Sequence, residues 1–124
     1  DDSFFAKNQI SSYEFVGSCD ALASDYSSIY YDFTLCDKPI ALIWEDLDEF
    51  TKLHPLENNY EFLTKGGEKI YTLDAFIDFI NRVACGIDLL KNERREIRDY
   101  ANNTSTDITN SQRVVDFIVE KCKL

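Results

Sequence analysis

The most regular alternation of apolar and polar residues begins at Thr72. Apolar residues recur there at the spacing of one buried helix face; they are Leu73, Phe76, Ile77, Ile80, Val83, Ala84, Ile87 and Leu90. Thr72 can cap the first turn through its side-chain oxygen. Gly86 interrupts the pattern, which predicts a bend or a close helix crossing. The run KNERREIRDY, residues 91–100, continues as a helix with a mixed-charge surface.

Residues 39–53 show the same spacing over a shorter stretch. The apolar residues on one side of that helix are Ile40, Ile43, Leu47 and Phe50. Pro39 suits a first helical position, where its missing N–H is not needed. A residue before proline is forced out of the α region, so the helix has to end before Pro55. The pattern therefore predicts a helix over 39–53.

Three other segments are less regular. We expect a helix in residues 3–15, although the apolar positions there are irregular. Residues 20–35 fit a helix face, but alternating aromatic and β-branched residues from Ile29 to Leu35 also fit a strand. Residues 60–72 carry two such runs around Lys65-Gly66-Gly67, which is typical of a β-hairpin. A short helix that ends at Gly66 is the alternative there.

The C-terminal segment predicts one more helix. NNTSTD, residues 102–107, breaks the preceding helix, and Ser111 or Asn110 can cap the next. Together these patterns predict a mostly α-helical protein with one short β-hairpin at 60–72. The alternative is an α+β fold with an additional strand near 29–35. A chain of 124 residues is expected to form a single compact domain over 1–124.

Composition adds information about the environment. No run of about 18 apolar residues occurs, so we expect no membrane-spanning segment and no membrane partner. The four cysteines are far apart in sequence and form no CxxC pair: Cys19, Cys36, Cys85 and Cys122. This spacing favours free thiols and a cytoplasmic protein over a disulfide framework.

Charge is distributed unevenly along the chain. Residues 1–62 hold 13 acidic and 3 basic residues, whereas residues 63–124 hold 10 of each. All of the net charge of −10 therefore comes from the first half. Such a field repels nucleic acids and anionic lipids and attracts a cationic protein. We therefore expect no nucleic-acid binding and a basic protein as partner.

The segment IWEDLDEF, residues 43–50, is the most acidic part of that half. We interpret it as a partner-binding surface together with neighbouring residues; the predicted residues are Asp32, Asp37, Trp44, Glu45, Asp46, Asp48 and Glu49. Trp44 lies at the edge of the apolar arc, so it either completes the core or forms an aromatic anchor beside the carboxylates.

Catalytic and metal-binding patterns are weak in this sequence. An EF-hand needs alternating oxygen ligands and a glycine turn, which the acidic segment lacks. His54 is the one histidine and has no cysteine near it in sequence. Gly66-Gly67 matches neither the P-loop nor the Rossmann pattern. We therefore predict no catalytic residues, no metal and no cofactor, and hence a protein that is not an enzyme.

In size, acidity and lack of catalytic motifs, the chain resembles the immunity proteins with which bacteria neutralise their own nuclease toxins. That resemblance implies an inhibitor that covers a basic active site in a 1:1 complex, with fast association from complementary charge. A non-catalytic adaptor or DNA-mimic binding module is the alternative. A small enzyme with a site assembled from dispersed residues is a third hypothesis.

Overall fold

The computed structural model describes residues 2–102 and 110–122. In chain order the elements are α1 (Asp2–Asn8), α2 (Ser12–Ser18), β1 (Leu22–Ser24), α3 (Ile29–Thr34), β2 (Ile40–Ile43), α4 (Leu47–Leu53), α5 (Tyr60–Leu63), β3 (Glu68–Ile70), α6 (Leu73–Ala84), α7 (Lys91–Asn102) and α8 (Asn110–Cys122). With 59% of residues in helices and a small sheet, the prediction of a mostly helical protein with some strands is confirmed.

The three strands form one parallel sheet in the order β1-β2-β3. Leu42 of β2 pairs with Ser24 of β1 on one side and with Lys69 of β3 on the other. β2 is therefore the central strand. Its sequence, Ile-Ala-Leu-Ile, is apolar throughout because helices cover both of its faces.

The two faces of β2 contribute to two different clusters of buried side chains. Leu42 and Ile40 pack on the first face with Phe33 of α3 and Ile97 of α7. On the second face Ala41 packs with Ile70 of β3 and Phe79 of α6. The sheet is thus enclosed by α3 and α7 on one side and by α6 on the other.

Two local predictions in the first 72 residues were wrong, and the structure decides between the two alternatives left open for a third segment. Residues 39–53 do not form one helix, because Ile40–Ile43 are strand β2 and the helix begins only at Leu47. Residues 60–72 do not form a hairpin: Tyr60–Leu63 are helix α5, and β3 pairs with β2 in parallel. Residues 29–34 are helix α3 rather than a strand.

The helix predicted after Thr72 is confirmed. The Thr72 hydroxyl accepts a hydrogen bond from the Ala75 N–H, as expected of a cap. The helix ends at Ala84, and Gly86 then adopts a left-handed φ of 72°. The Ile87 N–H reaches back to the Arg82 carbonyl, which completes a glycine-terminated helix end. Gly86 therefore terminates the helix instead of bending it.

Asn110 or Ser111 was predicted to cap the last helix. Both residues lie inside α8, which spans Asn110–Cys122. Residues 103–109, which precede this helix, lie outside the described residues.

A buried ion-pair network fixes α7 at the amino-terminal end of the sheet. The Arg94 side chain is fully buried, and its guanidinium forms a two-pronged contact with the Asp88 carboxylate. Asp37, which precedes β2, lies 3.5 Å from the same guanidinium and accepts two hydrogen bonds from Arg95. The Arg95 hydrogen bonds hold the pKa of Asp37 below its usual range. These contacts join α7 to the segment between α3 and β2.

None of the helices in the described ranges is long and apolar enough to cross a membrane. The cysteines are free, as expected: Cys19 and Cys36 are half-buried, whereas Cys85 and Cys122 are exposed. That the chain forms a single domain over 1–124 stays a prediction.

Candidate functional site

A cavity of about 260 Å³ opens at the carboxyl ends of β1 and β2. Residues 25–28, which follow β1, form one side, and Trp44, which follows β2, forms part of the floor. The segment between α4 and β3 closes the opposite side with residues such as Leu56 and Tyr60. The carboxyl edge of a parallel sheet is where open α/β folds bind ligands. Its position makes this cavity the candidate functional site.

Five of the side chains that line the cavity are aromatic. They are Tyr26, Tyr30, Tyr31, Trp44 and Tyr60. Tyr30 and Tyr31 meet edge to face, with ring centroids 5.0 Å apart. The Trp44 ring lies 6.2 Å from both the Tyr26 and the Tyr60 ring. Such a wall favours a planar, largely uncharged group.

Tyr30 connects the cavity with the turn before β3. Its ring is almost completely buried, and its hydroxyl accepts a hydrogen bond of 3.1 Å from the Gly66 N–H. Burial raises the pKa of Tyr30 to about 12, although the Gly66 N–H acts in the opposite direction. The hydroxyl is therefore protonated at neutral pH and serves as a structural anchor.

Tyr26 attaches α4 to the same wall. Its hydroxyl donates a hydrogen bond of 2.8 Å to Asp46, and its ring stacks on Phe50 with centroids 3.6 Å apart. Burial, followed by the bond to Asp46, raises the pKa of Tyr26. Burial also raises the pKa of Tyr31, and the Glu57 carboxylate adds to this. The hydroxyls of Tyr26, Tyr30 and Tyr31 are thus all protonated at neutral pH.

Polar side chains also line the cavity: Asp25, Ser27, Ser28, Glu57 and Thr64. The Thr64 hydroxyl already donates to the Tyr60 carbonyl. Among the described lining residues there is no lysine, arginine or histidine. The cavity can therefore bind a group with hydrogen-bonding edges, whereas a phosphate would meet only carboxylates and hydroxyls there.

The predicted partner-binding residues are distributed over different environments. Trp44 is 3% exposed, so it completes the core and lines the cavity. Asp46 bonds to Tyr26 at the cavity wall, whereas Asp37 is paired with Arg95 at the opposite end of the sheet. The remaining predicted residues are exposed: Asp32, Glu45, Asp48 and Glu49. The structure thus brings Trp44 and Asp46 together through Tyr26, and binding of a basic protein to these residues stays a prediction.

The tyrosines and serines of the cavity were not predicted as site residues. Tyr30 and Tyr31 lie in a segment whose helix and strand patterns conflict. A signal was nevertheless present in the apolar run Ile40 to Trp44, which is typical of a fully buried parallel strand. Recognising that strand would have directed attention to the residues at its carboxyl end.

Comparison with known proteins gave one family. The family described as CDP-Glycerol:Poly(glycerophosphate) glycerophosphotransferase matches residues 3–120, nearly the whole chain. The match is short and partial with respect to that family. No curated protein matches the chain, and no solved structure does.

This match overturns two functional predictions. The chain is not an immunity protein that inhibits a nuclease. The prediction that it is not an enzyme was also wrong. The first error came from reading a surplus of carboxylates as a function, and the second from the lack of a recognisable catalytic pattern. Part of that surplus has structural partners, since Asp37 is paired with Arg95 and Asp46 with Tyr26. The chain belongs to the CDP-glycerol:poly(glycerophosphate) glycerophosphotransferase family.

Proposed function

We propose that this chain binds CDP-glycerol at the carboxyl edge of its parallel sheet and takes part in transferring glycerophosphate to poly(glycerophosphate). The observation that carries the proposal is the aromatic cavity at that edge, within the residues that match the family. Nucleotides commonly bind at this edge of α/β sheets, because successive loops converge there.

The reaction implied by the family name is a displacement at phosphorus. A hydroxyl oxygen at the end of the acceptor chain forms a bond to the phosphorus that carries glycerol. The bond from that phosphorus to the bridging oxygen of the diphosphate breaks, and CMP leaves with the bridging oxygen. The hydroxyl proton is released to CMP or solvent, so the acceptor grows by one glycerophosphate. Catalysis of such steps relies mainly on positioning and on stabilising negative charge.

The cavity suits one part of the donor rather than all of it. Its volume of about 260 Å³ is just below the range of roughly 300–1,000 Å³ that holds drug-sized ligands. The lining has aromatic rings and carboxylates, so the diphosphate has to remain outside it. Lys69 supplies a positive charge nearby, with its Nζ 5.3 Å from the centre of the Trp44 ring. In this arrangement the chain binds and orients the donor.

We also propose a cytoplasmic location. Free thiols at Cys19, Cys36, Cys85 and Cys122 support it, because an oxidising compartment favours disulfides. Cell fractionation with an antibody against the chain tests it, and recovery of the protein outside the cytoplasm would contradict it.

The proposal is tested by calorimetric titration of CDP-glycerol into the full chain. We expect 1:1 binding. Replacing Tyr31, a cavity wall residue, by alanine should weaken binding about tenfold, as for loss of one base–aromatic contact. Tyr100→Ala is the matched control, because Tyr100 is 60% exposed on α7 and does not line the cavity.

A parallel incubation with CDP-glycerol and a poly(glycerophosphate) acceptor measures CMP release. We expect release that depends on the acceptor and falls in the Tyr31→Ala variant. No detectable binding of CDP-glycerol, or equal binding by the two tyrosine variants, would refute the proposed site.

A further inference from the structure

Helix α8 carries apolar side chains that the described part of the chain leaves uncovered. Every side chain described in this helix, residues 111–122, is exposed. Several of them are large and apolar, and we call this set the α8 face: Val114, Val115, Phe117, Ile118 and Val119. At 100° per residue they occupy one side of the helix, with Ile118 near the centre. Contiguous exposed apolar surface of this kind marks an interaction site.

Helix α6 has a second uncovered apolar surface. One side of this helix packs on the sheet through the buried Phe79. Beside that side run Leu73, Ile77 and Ile80, which are 71%, 46% and 48% exposed; we call these three residues the α6 stripe. Their spacing of i, i+4 and i+7 places them in one line along the helix. An apolar line of this width fits the apolar side of another helix.

The charges beside the two surfaces are complementary. Asp74 and Asp78 flank the α6 stripe on the side away from the sheet, and both are exposed. Neither carboxylate forms an ion pair with a residue that the structure describes. On α8, Arg113, Phe117 and Lys121 follow one another at a spacing of four, with the Lys121 Nζ 5.7 Å from the centre of the Phe117 ring. A basic row beside the α8 face and an acidic row beside the α6 stripe favour contact between the two helices.

The acidic residues of α8 do not oppose this contact. They lie on the side of the helix opposite Ile118, where they remain in solvent: Asp116 and Glu120.

We propose that two copies of this chain form a symmetric dimer in which α8 of each copy packs on the α6 stripe of the other. A second copy is the partner because it offers each surface its counterpart, whereas within one chain the side chains of both remain exposed. Two-fold symmetry repeats the contact, so a single type of contact covers both surfaces of both copies. The assembly is therefore closed at two chains.

Sedimentation velocity of the full chain over a range of concentrations tests the proposal. We expect a monomer–dimer equilibrium. Ile77→Glu in the α6 stripe and Ile118→Glu in the α8 face should each raise the dissociation constant of the dimer at least about tenfold, because each places a carboxylate in an apolar contact. Leu53→Glu is the matched control, since Leu53 is 79% exposed at the end of α4 and belongs to neither surface. It should dimerise like the wild type.

The pattern of the two variants distinguishes this dimer from other arrangements. A loss of dimer in Ile118→Glu alone would show that α8 pairs with α8, and a loss in Ile77→Glu alone would show that α6 pairs with α6. Either result would overturn the proposal, as would a wild-type chain that sediments as a monomer at every concentration. Ile77 and Ile118 are both 46% exposed, so we expect circular dichroism spectra that match the wild type.

Salt dependence gives a second measurement that leaves the apolar residues intact. Asp74→Lys combined with Asp78→Lys should weaken the dimer at low salt, and the difference from the wild type should shrink at high salt because ions screen exposed charges. A dimer that is unaffected by this double substitution would overturn the pairing of the basic row of α8 with α6. If Ile77→Glu does not fold, Ile118→Glu and the double substitution decide together.

Discussion

Replacing Gly66 by alanine tests the packing that supports the cavity. A Cβ atom at this position would lie 2.6 Å from the Arg94 Cα and 3.0 Å from the Tyr30 hydroxyl. The φ angle of Gly66 is not in the left-handed region. The glycine is therefore required by close approach to α7 and not by backbone conformation.

The expected destabilisation follows from that geometry. Carbon atoms in contact prefer a separation of about 3.5–4.0 Å, so α7 has to retreat by about 1 Å. A retreat moves Arg94 relative to Asp88 and loosens the packing of the fully buried Ile97. Overpacking of this kind costs about 3 kcal/mol at its upper range. Alanine recovers somewhat less than about 1 kcal/mol by restricting the unfolded chain, which leaves a net loss of about 2 kcal/mol.

Urea unfolding followed by Trp44 fluorescence measures this loss, because the single tryptophan is buried in the native state. In thermal unfolding, about 2 kcal/mol corresponds to a decrease of roughly 8 °C for a chain of this size. Gly17→Ala is the matched control. Gly17 lies in α2 with nothing within 4 Å of an added Cβ, so alanine should stabilise the protein by about 0.5–1 kcal/mol. A Gly66→Ala variant as stable as the wild type would refute the close-approach argument.

Two further predictions concern Tyr30 and Asp37. Tyr30→Phe removes the hydroxyl that accepts a hydrogen bond from the Gly66 N–H. The buried N–H is left without a partner, which should lower the free energy of unfolding by about 1–3 kcal/mol. A urea unfolding curve that matches the wild type would contradict this prediction. Because the pKa of Asp37 is lower in the folded state, its ionised carboxylate stabilises the fold at pH values above the pKa of the unfolded state. This stabilisation is lost as the pH falls through the pKa of the folded state. Asp37→Asn should therefore be less stable than the wild type at neutral pH, with the difference shrinking below about pH 4. Unfolding free energies across that range test it, and a difference independent of pH would exclude the Arg95 pairing as its cause.

The parts of the fold that local sequence determines were predictable. α6 has a capping threonine, a one-sided apolar face and a terminating glycine within one short segment. Strand β2 was not recognised, because Ile40 and Ile43 satisfy helical spacing by chance when they are followed by Leu47 and Phe50. Whether a short apolar run forms a strand depends on covering elements that are distant in sequence. Here those elements are α3, α6 and α7.

The candidate site was less accessible to sequence reasoning than the fold. Its walls come from residues 25–31, 42–44 and 56–64, which only the parallel crossover connections bring together. Side chains such as Tyr30 carry no chemical signature of a binding site when they are taken singly.

The two ends of the sheet have separate roles, and Tyr30 connects them. At the amino-terminal end, Arg94 forms ion pairs that hold α7 in place. The backbone of Arg94 also packs against Gly66, whose N–H fixes the Tyr30 hydroxyl, and the Tyr30 ring forms the cavity wall at the carboxyl end. Ion pairing therefore determines the shape of a cavity that itself contains no basic lining residue among those described.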